Sequence, residues 1–156
     1  MGQQQLLLVI LVTIIVGIAT VVAINTFGSA ADQANIDAVN NDIATLASAA
    51  QGYYMRPQML GGGGRSFDGI TFEKFSFAGE IGDDPDPAEE GHDPLFGANE
   101  NGVYEIITNN EDDYFVVRGV PTGAGGSIAA RVCQDRINMG DYDPNDEAQG
   151  DPGACD

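Results

Sequence analysis

Residues 6–24 read LLLVILVTIIVGIATVVAI, a run of 19 broken only by Thr13, Gly17 and Thr20. As a helix, such a run can cross a bilayer, which takes about 20 apolar residues. No side chain before Asp32 carries a charge. Further along, Ile36, Val39, Ile43, Leu46, Ala50 and Tyr53 recur at spacings of 3, 4, 3, 4 and 3, the seam of an amphipathic helix. No proline intervenes before Pro57. The pattern predicts one helix of roughly 50 residues, about 75 Å long at about 1.5 Å per residue. It should stop near Tyr54–Arg56, because Pro57 disfavours helical geometry at Arg56. Gly17 and Gly28 each cost about 1 kcal/mol relative to alanine. Asn25–Ser29, around the second of them, is the expected place for a local bend or unwinding.

Outward from the helix, Gly61–Gly64 reads as a flexible exit. It is not a phosphate-binding loop, since Gly-Gly-Arg-Ser stands where Gly-Lys-Ser/Thr is needed and no strand precedes it. Ile70, Phe72, Phe75 and Phe77 predict a bent strand that slips near Glu73–Lys74. Gly79–Asn101, with Asp83, Asp84, Asp86, Glu89, Glu90 and Asp93, reads as an acidic, turn-rich loop. Strands follow at Val103–Thr108, Tyr114–Val120 and Ser127–Gln134, and their short links imply antiparallel pairing. Met139–Asp156 reads as a polar tail. The fold class is α+β: a long N-terminal helix, apolar and then amphipathic, packed on a small antiparallel sheet. The expected organisation is a helix over 1–56, with 1–31 its apolar part, and a β-rich domain over 57–156.

The 156 residues carry 24 acidic and 6 basic side chains, a formal net charge of −18. Direct nucleic-acid binding through a basic patch is excluded, because phosphate contacts need basic residues. Copies at this charge repel, and an assembly of them needs screening by salt or divalent cations. Scarce lysine beside abundant aspartate fits either a salt-rich habitat or a plain solvated surface. Two cysteines, Cys133 and Cys155, beside an export-type N-terminus suggest one disulfide, contributing about 3 kcal/mol through loop closure. The N-terminal tail has three readings: a cleaved signal, a simple anchor, or a segment held in the membrane before assembly and in a filament core afterwards. Its uncharged Met1–Gln5 start and long apolar run argue against the first. The expected mature N-terminus is Met1 or Gln3, with no long segment removed.

Catalytic signals are lacking, and no enzyme is expected. The single histidine, His92, reads as an exposed loop residue, and general-base chemistry would need a positioned partner and a pocket. The sequence holds no nucleophile elbow, metalloprotease motif or haem-attachment motif. The aromatics after the helix, Tyr53, Tyr54, Phe67, Phe72, Phe75 and Phe77, read as core. The one cofactor with a candidate site is Ca2+, through the oxygen-rich set Asp141, Asp143, Asn145, Asp146 and Glu147. Asp146 stands where an EF-hand loop needs glycine, and Pro152 where it needs glutamate, so a solvated acidic turn is the competing reading.

A hydrophobic-then-amphipathic N-terminal helix, followed by a small antiparallel sheet and a disulfide-closed C-terminal segment, resembles the type IV pilins and pseudopilins. Gly2 stands where their leader ends, and Gln3-Gln4-Gln5 precede the apolar run in place of the family's aromatic-Thr-Leu-Ile-Glu. Neutral amide hydrogen bonds from the trio would then replace the glutamate that registers neighbouring subunits. The resemblance implies a structural subunit of an extracellular pilus-like filament, membrane-inserted before assembly. Its partners would be copies of itself and the inner-membrane assembly machinery. Assembly would run through Leu6, Leu7, Leu8, Val9, Ile10, Ile14, Ile15, Gly17 and Ile18. Cys133 and Cys155 would bound the variable C-terminal segment. The alternatives are a pseudopilin-like part of a secretion or uptake machine, and a membrane-anchored calcium-binding surface module.

Overall fold

The computed structural model describes residues 2–83, 92–108, 111–123, 125–141 and 155. Helix α1 spans Gly2–Met55. The chain divides into two compact units, residues 1–34 and 35–156. The first is helical throughout its described residues, with no break at Asn25–Ser29. The expected bend is therefore absent: Gly28 keeps helical geometry, and the Thr26 and Ser29 hydroxyls donate back to the Val22 and Thr26 carbonyls at 2.9 and 3.0 Å.

The described residues of the second unit form six strands: β1 Glu80–Asp83, β2 His92–Ala98, β3 Gly102–Thr108, β4 Tyr114–Pro121, β5 Ile128–Cys133 and β6 Ile137–Asp141. They form one open sheet in the order β1-β2-β3-β4-β5-β6, every neighbour antiparallel. The α+β layout is thus the expected one, the helix lying on an antiparallel sheet. From α1, the buried residues Val39, Ile43, Leu46, Ala47, Ala50, Tyr53 and Tyr54 enter the core. From the sheet come Tyr104 and Ile106 on β3, Phe115 and Val117 on β4, and Ala130 and Val132 on β5. These positions alternate along each strand, as they must when one face is packed. Burial of each large apolar side chain contributes about 1.5–3 kcal/mol before the entropy of ordering is subtracted.

Three segments differ from expectation. Ile70–Phe77 is not a strand: Phe72–Lys74 is one turn of 3-10 helix. Phe67, Ile70, Phe72 and Phe75 are all buried in the same core, so the chain coils to turn them one way instead of alternating. Phe72 meets Phe75 and Phe77 at ring distances of 5.7 and 4.9 Å, and Phe77 meets Tyr104 at 5.6 Å. Gly79–Asn101 contributes β1 and β2, not loop alone, and β6 occupies the start of the supposed tail.

The glycine run is not a loose exit either. Past Pro57 and a 3-10 turn at Gln58–Leu60, the Gly61, Gly62, Gly63 and Gly64 amides donate to the Gln58, Pro57, Tyr53 and Arg56 carbonyls at 2.9–3.2 Å. The Arg65 amide donates to Tyr54 O at 2.9 Å. The bonds to Tyr53 and Tyr54 satisfy carbonyls that the end of α1 leaves without intrahelical partners. A Cβ on Gly62 would lie 2.2 Å from Arg56 O, and one on Gly63 2.1 Å from Ser66 O. The run is a tight cap: Gly62 and Gly63 lie too close to backbone for a Cβ, while Gly61 and Gly64 take φ values of 74° and 64° that favour glycine.

Candidate assembly surface

Apolar side chains cover the first half of α1 and meet solvent. Leu6 is 64% exposed, Ile15 57% and Ile24 66%, and the large apolar residues between them are similarly open. The hydroxyls that interrupt the run are turned inward on the backbone. Thr13 and Thr20 donate to the Ile10 and Val16 carbonyls, each at 2.8 Å, so the helix presents no unsatisfied side-chain donor there. Gly17 has nothing within 4 Å of an added Cβ. The nine residues expected to mediate assembly all lie on this one exposed stretch of helix. It is long and apolar enough to cross a membrane. A helix that is apolar all round needs lipid or protein around it.

A polar cluster that the sequence reading missed fixes the second half of α1 to the sheet. Asp42 Oδ2 accepts hydrogen bonds from Asn99 Nδ2 at 2.8 Å, Asn101 Nδ2 at 2.8 Å and the Tyr104 hydroxyl at 2.7 Å. Asn99 Oδ1 in turn accepts from the Asn101 and Gly102 amides at 2.9 and 3.1 Å, shaping the β2–β3 turn. Burial alone would raise the Asp42 pKa, but the bonds from Asn101, Tyr104 and Asn99 outweigh it and hold the carboxyl below its ordinary value. Burial and the Asp42 carboxylate push the Tyr104 phenol upward. The available signal was Asn99-Glu100-Asn101-Gly102, a turn sequence that straddles the end of the stretch assigned to loop.

Cys133, at the end of β5, and Cys155 sit at disulfide distance, with Cα atoms 5.8 Å apart. The same strand end meets the helix: Gln51 Nε2 donates to Cys133 O at 3.0 Å, and the Tyr54 hydroxyl to Gln134 Oε1 at 3.2 Å. Of the calcium candidates, Asp141 closes β6; its side chain, with Asp143, Asn145, Asp146 and Glu147, lies outside the described residues. Among the described residues no group of three or more His, Cys, Asp or Glu side chains converges as a metal cluster. His92 opens β2, exposed as expected, with its Nε2 2.9 Å from Glu73 Oε1. The chain matches no family model, no curated protein and no solved structure.

Proposed function

We propose that the chain is the structural subunit of an extracellular type IV pilus-like filament, polymerising through the apolar half of α1. The observation that supports this reading most is the contrast within one helix. Residues 39–54 bury a seam in a folded domain, while Leu6–Ile24 exposes apolar side chains on all sides. Parallel copies packed about 8–10 Å apart would bury that surface. The inner-membrane assembly machinery would hold the same segment in the bilayer beforehand.

The apolar helix equally favours a second reading, an anchored monomer or a subunit of a pseudopilin-like machine, since lipid would cover it as well. Electron microscopy of sheared cell-surface material, with mass spectrometry of its protein bands, separates the readings. Filaments built mainly of this chain are the expected result. Recovery of the chain solely in the membrane fraction would refute the filament reading.

A further inference from the structure

Asn101 is tied down where α1 meets the β2–β3 turn. Its Nδ2 donates to Asp42 Oδ2 at 2.8 Å and its amide to Asn99 Oδ1 at 2.9 Å, while its carbonyl accepts from the Thr122 amide at 2.9 Å. Of the asparagines in the sequence, it alone precedes a glycine. Packing demands that glycine: a Cβ on Gly102 would lie 2.4 Å from Val120 O. An asparagine before glycine is the kind most prone to cyclise, because no Cβ obstructs the approach to the following amide nitrogen. The fold has thus placed a chemically labile pair in the contact that fixes the helix to the sheet.

We infer that Asn101 is a deamidation site, restrained by its bond to Asp42 and unable to restore that bond once it has reacted. In the reaction the Gly102 amide nitrogen gives up its proton and attacks Asn101 Cγ. The new N–Cγ bond forms, the Cγ–Nδ2 bond breaks, and ammonia leaves with the proton. Water then opens the cyclic imide. Attack at Cγ restores the peptide with an aspartate, and attack at the main-chain carbonyl leaves an isoaspartate linked through Cγ. Water is consumed, ammonia is released, and nothing is oxidised or reduced. In the folded chain both reacting groups are occupied. The leaving amide is bound to Asp42, and the Gly102 N–H donates to Asn99 Oδ1 at 3.1 Å. Cyclisation therefore needs the turn to open, and its rate follows the population of that local opening. Aspartate would set a carboxylate where the amide stood, beside Asp42 Oδ2, trading a donor for a like charge. Isoaspartate adds a carbon to the main chain inside the turn, which the Asn99 amide closes on Gly102 O at 3.0 Å. Conversion is a one-way weakening of the hold of α1 on the sheet.

The test incubates the full-length chain in detergent at neutral pH in heavy-oxygen water. Mass spectrometry of the digest then reads replacement of the Asn101 NH2 by labelled OH. Asp42→Ala should speed conversion about tenfold, equivalent to about 1.4 kcal/mol of hold on the closed turn. Val132→Ala, on β5 at the far end from the turn, weakens the core alone and should stay near the wild-type rate. Should Asp42→Ala fail to fold, Asp42→Asn keeps the shape, removes the charge and should also speed conversion. Wild-type rates in the Asp42 variants, or equal acceleration in Val132→Ala, would overturn the restraint by Asp42. Absence of conversion at Asn101 in the urea-unfolded chain would overturn the site itself. For the consequence, Asn101→Asp should lower the urea midpoint more than Asn101→Ala, which removes the donor without adding charge. Equal losses would overturn the like-charge account.

Discussion

Asp42 shows how much one side chain can hold. Its carboxylate takes three hydrogen bonds from the sheet, and the donor on Tyr104 belongs to a residue with no exposed surface. Hydrogen bonds to a charged group contribute about 1.5–3 kcal/mol each, and loss of the acceptor leaves a buried hydroxyl unsatisfied. Asp42 is only half-buried, so water replaces part of what is lost, and Asp42→Ala should destabilise the domain by about 2–3 kcal/mol in all, read as a lower urea midpoint. The pH dependence follows from the two displaced groups. Asp42 is held low, so its contribution is present above about pH 4 and is lost as the pH falls through its folded value. Tyr104 is held high, so its contribution is present below about pH 10 and is lost as the pH rises through its folded value. The urea midpoint should fall less steeply with acid in Asp42→Asn than in the wild type; identical slopes would remove Asp42 from the account. A second residue-scale expectation concerns Gly63, where a Cβ would meet the Ser66 carbonyl oxygen. Gly63→Ala should cost about 1–3 kcal/mol through overpacking, whereas alanine at Gly61, with nothing near its Cβ but a φ of 74°, tests the backbone alone.

At the scale of elements, the helix was legible and half of the sheet was not. The seam from Val39 to Tyr53 repeats often enough to fix both the period and the buried face. Strands β3, β4 and β5 are rich in Val, Ile, Tyr and Phe and advertise themselves. Strands β1, β2 and β6 contain Gly82, Pro94, Gly97 and Gly140 and few β-branched residues; pairing with a neighbour makes them strands. Of the candidate site, the apolar stretch was readable, while the Asp42 cluster was not, because its partners come from a turn 57–62 residues away. Gly17→Asp places a charge on the apolar half of α1 without touching its own chain, so it should abolish filaments while leaving the circular dichroism of the sheet domain unchanged. Normal filaments from that variant would remove α1 from assembly. For the β5 end, thiol labelling under denaturing, non-reducing conditions should find Cys133 and Cys155 both blocked.

At the scale of the whole molecule, charge sets the conditions under which copies can gather. Each brings −18, and exposed charges are screened over about 10 Å at 0.1 M ionic strength. Filaments should shorten or dissociate on dialysis into dilute chelating buffer and recover when salt returns; imaging before and after decides it, and indifference to salt would mean that charge repulsion is unimportant to assembly. What surrounds the apolar helix was not legible at this scale, because a surface that is apolar on every side singles out no direction of approach. Each of the six strands pairs only with its neighbours in the chain. Chains dominated by such local pairings fold quickly, since little loop-closure entropy is lost before contacts form. The sheet can therefore zip together hairpin by hairpin as the polypeptide emerges, and a newly made chain would spend little time with the inner strands β2 to β5 unpaired.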